Sequence, residues 1–158
     1  MKQLALFTIS LFISMSLFAQ EPGNNLRKSL AQIQQSFPNL KYLHEDKGYK
    51  VYKSSGEDED FTTFYFNNNG LLVGEYTYIF DYSGSGYITD LYNSLLNRFA
   101  KYGVKHKRST SSSYDVTFFY FSNFIVKFAN YHTQLQIYYE LNGLHININA
   151  LQARPPRY

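Results

Sequence analysis

The sequence predicts an α+β domain of two tandem helix-plus-antiparallel-sheet repeats, forming one continuous sheet with both helices packed on one face. Three observations predict it. The segment FTTFYF at 61–66 returns fifty-five positions later as VTFFYF at 116–121. A stretch of helical period precedes each copy, and an alternating, tyrosine-rich stretch follows each. Between the alternating stretches lie short runs of Asn, Gly and Ser, the residues that turn antiparallel neighbours back on one another. The repeats are expected at 24–82 and 86–141.

Residues 1–20 read as a cleaved signal peptide: Lys2 opens it, residues 4–17 are mostly apolar, and Leu17-Phe18-Ala19 precedes Gln20-Glu21-Pro22. The apolar run of about 14 residues falls short of the roughly 20 that a spanning helix needs, so no membrane span is expected after cleavage. What remains is a single domain over 21–150 and a loose tail over 151–158, where Pro155 and Pro156 cannot join a ladder. The mature protein is expected to be exported, periplasmic or extracellular. It contains no cysteine, so its core alone must hold it, and about 138 residues are enough for one core.

Leu26, Leu30, Ile33 and Phe37 recur at helical spacing, which predicts a helix capped by Asn24 or Asn25 and stopped by Pro38. Extended segments near 40–43 and 49–53 flank a polar connection at 44–48, and a polar, acidic loop covers 54–59. After the strand at 61–66, Asn67-Asn68-Asn69-Gly70 turns the chain. Unbroken alternation in the returning strand, 71–82, would put Leu72, Tyr76, Tyr78, Phe80 and Tyr82 towards a core and Glu75, Thr77 and Asp81 away from it. A second helix follows from Ile88, Leu91, Tyr92, Leu95, Leu96, Phe99 and Tyr102, ended by Gly103. Four more strands are expected near 104–110, 114–122, 124–130 and 134–141, with a short edge strand over 145–150.

Chemistry has no obvious seat. Residues 21–87 carry six Lys/Arg against nine Asp/Glu, and residues 88–158 carry eight against three, so the two halves differ in sign. Lys105-His106-Lys107-Arg108 is the one tight basic run, too short for a phosphate-tracking stripe, and no nucleic-acid partner is expected. His44, His106, His132 and His145 are mutually distant, so no metal site is assigned. Thiol chemistry is excluded, and the nucleophile-elbow pattern is absent. Gly84-Ser85-Gly86-Tyr87-Ile88-Thr89 has threonine where a dinucleotide turn needs its third glycine. The run 57–60 is acidic but lacks the alternating ligands and turn glycine of a calcium loop. No cofactor and no enzymatic activity are expected.

What stands out is aromatic content, 19% of the chain without any tryptophan. Two helices cannot hide that much tyrosine and phenylalanine, so alternation predicts a helix-free sheet face presenting Tyr65, Glu75, Thr77, Phe118, Tyr120, Lys127, Gln136 and Tyr138. Tyrosine buries area at low entropic cost while keeping its hydroxyl hydrogen-bonded, which suits a recognition surface.

The helix-plus-four-strand layout over 24–141, the FTTFYF and VTFFYF pair and the export signal resemble the β-lactamase-inhibitor-protein-like group and the related PepSY-like exported domains. That resemblance implies tandem units in one long sheet, with a concave face that grips a partner through aromatic and polar side chains. The chain departs from the inhibitor in having neither cysteine nor tryptophan, and only the binding face is carried over. The expected function is thus a non-enzymatic binding module for a protein or peptide, monomeric or weakly self-associating. The alternatives are a small-molecule or glycan binder or hydrolase with a pocket between helices and sheet, and an envelope component pairing with itself through strand edges.

Overall fold

The computed structural model describes residues 21–55, 60–81 and 83–144. The signal peptide, the strand expected at 145–150 and the tail lie outside them. In chain order the elements are α1 (Leu30–Ser36), β1 (Lys41–Asp46), β2 (Tyr49–Ser55), β3 (Phe61–Phe66), β4 (Leu72–Phe80), α2 (Tyr87–Ala100), β5 (Lys105–Thr110), β6 (Asp115–Tyr120), β7 (Phe124–Asn130) and β8 (Gln134–Leu141). The protein is α+β: the strands form one antiparallel sheet in the order β1-β2-β3-β4-β8-β7-β6-β5. Two four-strand meanders meet last strand to last strand, through the pairs from Gly74↔Glu140 to Phe80↔Gln134.

The predicted echo occupies strands of different rank. FTTFYF is β3, the third strand of the first meander, whereas VTFFYF begins in β6, the second strand of the other. Both segments alternate in the same way, but they do not stand at equivalent places in the sheet.

The first helix is shorter than its apolar spacing predicts. Arg27 adopts a positive φ of 71°, and its N–H donates to the Leu72 carbonyl at 2.7 Å while Leu72 N–H donates to the Lys28 carbonyl at 2.8 Å. These bonds tie the lead-in to the start of β4, so helical geometry begins only after Ser29. Ser29 and Gln32 form a reciprocal capping box there, in place of the expected asparagine cap. Ile33 then packs with Phe64, Phe66 and Leu72.

The β1–β2 connection is also tighter than expected. β1 continues through Glu45 and Asp46, leaving Lys47 (φ 49°) and Gly48 (φ 82°) as the two turn residues. Successive positive φ values match the right-handed twist of a two-residue hairpin.

α2 follows its sequence pattern closely. Gly103, at φ 64°, lies just past it as expected. Its Ile88, Leu91, Tyr92, Leu95 and Phe99 close on Ile79, Phe119, Val126, Phe128, Leu135, Ile137 and Tyr139. Phe99 sits among Phe119, Phe128, Phe121 and Tyr102 at centroid distances of 4.7–6.2 Å, within the range for edge-on aromatic contact. The Tyr92 hydroxyl donates to Asp115 Oδ1 at 2.9 Å and shares a 2.9 Å bond with Thr117, so its polar tip is satisfied inside the core.

One irregularity decides which side chains face α2. The β3–β4 register runs from Tyr65↔Gly74 to Phe66↔Leu72, which leaves Val73 as an extra residue in a β-bulge. The bulge reverses the alternation. Leu72 packs with Ile33, but Tyr76 and Val73 join Tyr65, Val51 and Tyr138 on the other side of the sheet.

Candidate functional site

Cross-strand pairs place each expected site residue on a definite face, because residues directly opposite in a ladder share a side. Glu75 pairs with Tyr139 and Thr77 with Ile137, and both partners pack against α2. Glu75 and Thr77 therefore lie on the α2 face, contrary to the sequence expectation, because of the bulge at Val73. Thr77 is buried and bonds Thr62 across the ladder, Oγ1 to Oγ1, at 3.0 Å. Glu75 is buried too. Its Oε2 accepts from Asn25 Nδ2 at 3.1 Å, and Lys28 Nζ donates to Asn25 Oδ1 at 2.9 Å. Burial pushes the Glu75 carboxyl up to about 7, against the smaller opposing pull of the Asn25 bond and the Lys28 charge.

The other six do share the opposite face, yet that face is not the open, wet surface expected. Tyr65, Phe118, Gln136 and Tyr138 are each 8% exposed or less, and Lys127 is 0% exposed. Tyr120 alone among them keeps substantial exposure, 36%. Within this face the rings pack on one another, and half-buried Leu141 and Leu144 pack against the same cluster. Phe61 stacks on Tyr78 at 4.6 Å, Tyr78 meets Tyr138 at 5.8 Å, Tyr138 meets Tyr76 at 4.7 Å, and Tyr76 meets Tyr65 at 4.8 Å. Lys53 Nζ caps one end of this series, 4.1 Å from the Phe61 centroid, and Lys127 Nζ lies 4.7 Å from that of Tyr138.

Hydroxyl bonds tie the rings together. Tyr138 donates to Gln136 Oε1 at 2.7 Å and its oxygen lies 3.2 Å from that of Tyr78. Tyr76 donates to Glu140 Oε2 at 2.8 Å. It reaches Glu140 by folding back over Gly74, the cross-strand partner of Glu140; a Cβ on Gly74 would come 2.8 Å from the Tyr76 hydroxyl oxygen. Burial raises the Tyr76, Tyr78 and Tyr138 hydroxyls above the usual tyrosine range, so they stay protonated.

Among the described residues two buried polar atoms break this economy, the Tyr131 hydroxyl and the amine of Lys127. Lys127 stands between Phe118 on β6 and Tyr138 on β8, and its Nζ has no hydrogen-bond partner. Burial lowers its ammonium to about 8, with the Glu140 charge pulling the other way. A buried amine without an acceptor is costly, and such groups cluster at functional sites.

Sequence alternation missed Tyr76, Tyr78 and Phe80 as members of this face, and Glu140 as the acceptor at its centre. The usable signal was Gly74: a glycine inside an otherwise regular strand marks a bulge or a close approach, and here it marks both.

The histidines do not assemble. His44 and His106 stand exposed on β1 and β5, His132 occupies a turn at φ 67° with Nε2 3.3 Å from the Ser112 carbonyl, and His145 lies outside the described residues. Among the described residues, no group of three or more His, Asp or Glu side chains could hold a metal ion, and no helix is long and apolar enough to cross a membrane. The α2 face carries the apolar cluster packed under the helix, with Glu75 and Thr77 buried on the same side. No protein-family model, curated protein or solved structure matches the chain.

Proposed function

We propose that this chain is an exported, non-enzymatic binding module that engages a protein or peptide at the outer border of its aromatic face, where β5 and β6 meet. The observation that supports this most is Tyr120. It is the solvent-facing member of the six, it stacks on Phe118 with ring planes 20° apart, and it pairs with Lys105 on the edge strand. An exposed aromatic backed by a rigid aromatic and flanked by a cation is the kind of group that dominates recognition energetics.

Two structural expectations belong to the same proposal. Residues 1–20 act as the cleaved signal, and the mature chain consists of two tandem helix-plus-four-strand units with both helices on the α2 face. In favour of the units are the element order, helix then four strands in each half, and the mirror arrangement of the meanders about the β4–β8 seam. In favour of a common helix face is the row Phe64, Glu75, Tyr139, which runs from the α1 cluster into the α2 cluster. The likeness to β-lactamase-inhibitor-protein-like and PepSY-like domains is retained on that layout.

The test is capture from the native envelope or medium with mature protein as bait. Tyr120→Ala is expected to lose a partner that Tyr42→Ala, at the opposite edge of the sheet, retains. Equal recovery by both variants removes Tyr120 from the interface.

A second reading, a small-molecule or glycan binder, is favoured by one observation, the buried Lys127 amine that has no hydrogen-bond acceptor. Its site would lie on the aromatic face and not between helix and sheet. Native mass spectrometry of protein purified from its source separates the two: a retained small molecule that Lys127→Met no longer carries favours the second.

A further inference from the structure

We propose that β5 is a docking edge for an extended acidic protein segment, which adds to the sheet as a ninth strand. This rests on the binding reading above and names the partner chemistry of the same border.

β5 is the last strand of its side of the sheet, and among the described residues its only strand partner is β6. Alternate residues of an edge strand point their N–H and C=O groups away from the sheet, a template for pairing with another chain. All of Lys105–Thr110 is exposed except half-buried Ser109. The edge is accessible along its length.

Charge decides the occupant. Register puts Lys105 beside Tyr120 and Lys107 beside Phe118 on the aromatic face, while His106 and Arg108 fall on the α2 face beside Phe119 and Thr117. Arg108 is already committed, in a two-point ion pair with Asp115. Among the described residues, Lys105 and Lys107 take part in no ion pair, and exposed Lys101 follows α2, four residues before β5 opens at Lys105. Two such edges brought together would oppose like charges, so β5 disfavours pairing with its own copy. An incoming strand with carboxylates at alternate positions would instead meet Lys105 and Lys107 on one face, the face on which Tyr120 stands beside Lys105. Main-chain bonds supply affinity and the alternate side chains supply choice.

The experiment uses the mature chain, labelled with ¹⁵N, and two synthetic extended peptides of equal β-propensity, one with alternating Asp/Glu and one with Lys at those positions. With the acidic peptide, β5 amides are expected to shift and to gain protection from exchange. Binding should weaken steeply between about 50 and about 300 mM salt, as exposed charges are screened. Combined Lys105→Glu and Lys107→Glu is expected to weaken the acidic peptide about tenfold and to admit the lysine peptide. Shifts confined to β1, equal binding of both peptides, or shifts at lysine side chains with no protection of β5 amides would each overturn strand addition. Light scattering that shows β5-dependent self-association would overturn it as well. The two proposals fail separately: if the natural partner depends on Tyr120 but the acidic peptide leaves β5 unprotected, strand addition falls and the binding module stands.

Discussion

Lys127 and Glu75 carry opposite pH signatures because burial acts on opposite charges. The Lys127 ammonium is depressed from 10.5 to about 8, so the folded state binds its proton less well than the unfolded chain. Stability from this group is full above 10.5 and is lost as pH falls through about 8. Between about pH 7 and about pH 10 the native chain is expected to gain up to about 3 kcal/mol relative to Lys127→Met, read from urea unfolding of both. Glu75 runs the other way. Its carboxyl is raised from 4.5 to about 7, so its contribution is intact below 4.5 and is lost as pH rises through about 7. Glu75→Gln keeps the shape and removes the titration, so its stability relative to the native chain should improve by up to about 3 kcal/mol from about pH 4 to about pH 8. Gly74 makes a third, geometric prediction. Gly74→Ala forces Tyr76 off its bond to Glu140 and should cost about 1–3 kcal/mol, with altered near-ultraviolet circular dichroism from the displaced tyrosines.

At the scale of elements, α1 depends on its cap because it is only 7 residues long. Isolated helices of that length do not hold in water, so the capping box and the docking of Ile33 must supply what propensity cannot. Ser29→Ala is expected to cost about 1 kcal/mol, measured by chemical denaturation, with hydrogen exchange of the α1 amides accelerating before that of α2. β4 teaches a different lesson. An alternation counted from Leu72 puts its tyrosines on the Leu72 side of the sheet; Tyr76 is buried as expected, but in the cluster on the other side. The error came from carrying one phase across Val73-Gly74. α2 escaped this problem because a helix of nearly four turns repeats its apolar spacing often enough to define its buried side without reference to a neighbour.

At the scale of the molecule, the β4–β8 seam joins the two meanders through seven residue pairs, and the aromatic series from Phe61 to Tyr138 crosses it on one face. Neither half ends in an independent edge there. Thermal unfolding is therefore expected to be one transition, with tyrosine fluorescence and far-ultraviolet circular dichroism giving the same midpoint; two separated midpoints would show that the halves fold alone. Among the described residues, by contrast, the outer edges at β1 and β5 have no further strand partner.

Local chemistry was enough to determine the α+β class, the strands, the tight Asn67–Gly70 turn, α2 with its buried stripe, and the Gly103 stop, since each depends on residues within one or two turns of chain. Six of the eight expected binding residues were placed on their correct side for the same reason. Only the tertiary structure decided that Glu75 and Thr77 face α2, that Lys127 is buried against Tyr138 without a hydrogen-bond acceptor, and that the aromatic side chains pack side by side with Tyr120 at the border. Those outcomes depend on a single extra residue in one strand and on which strands lie side by side. Period-two alternation records that a face exists, but burial is a property of neighbours brought together from distant parts of the chain.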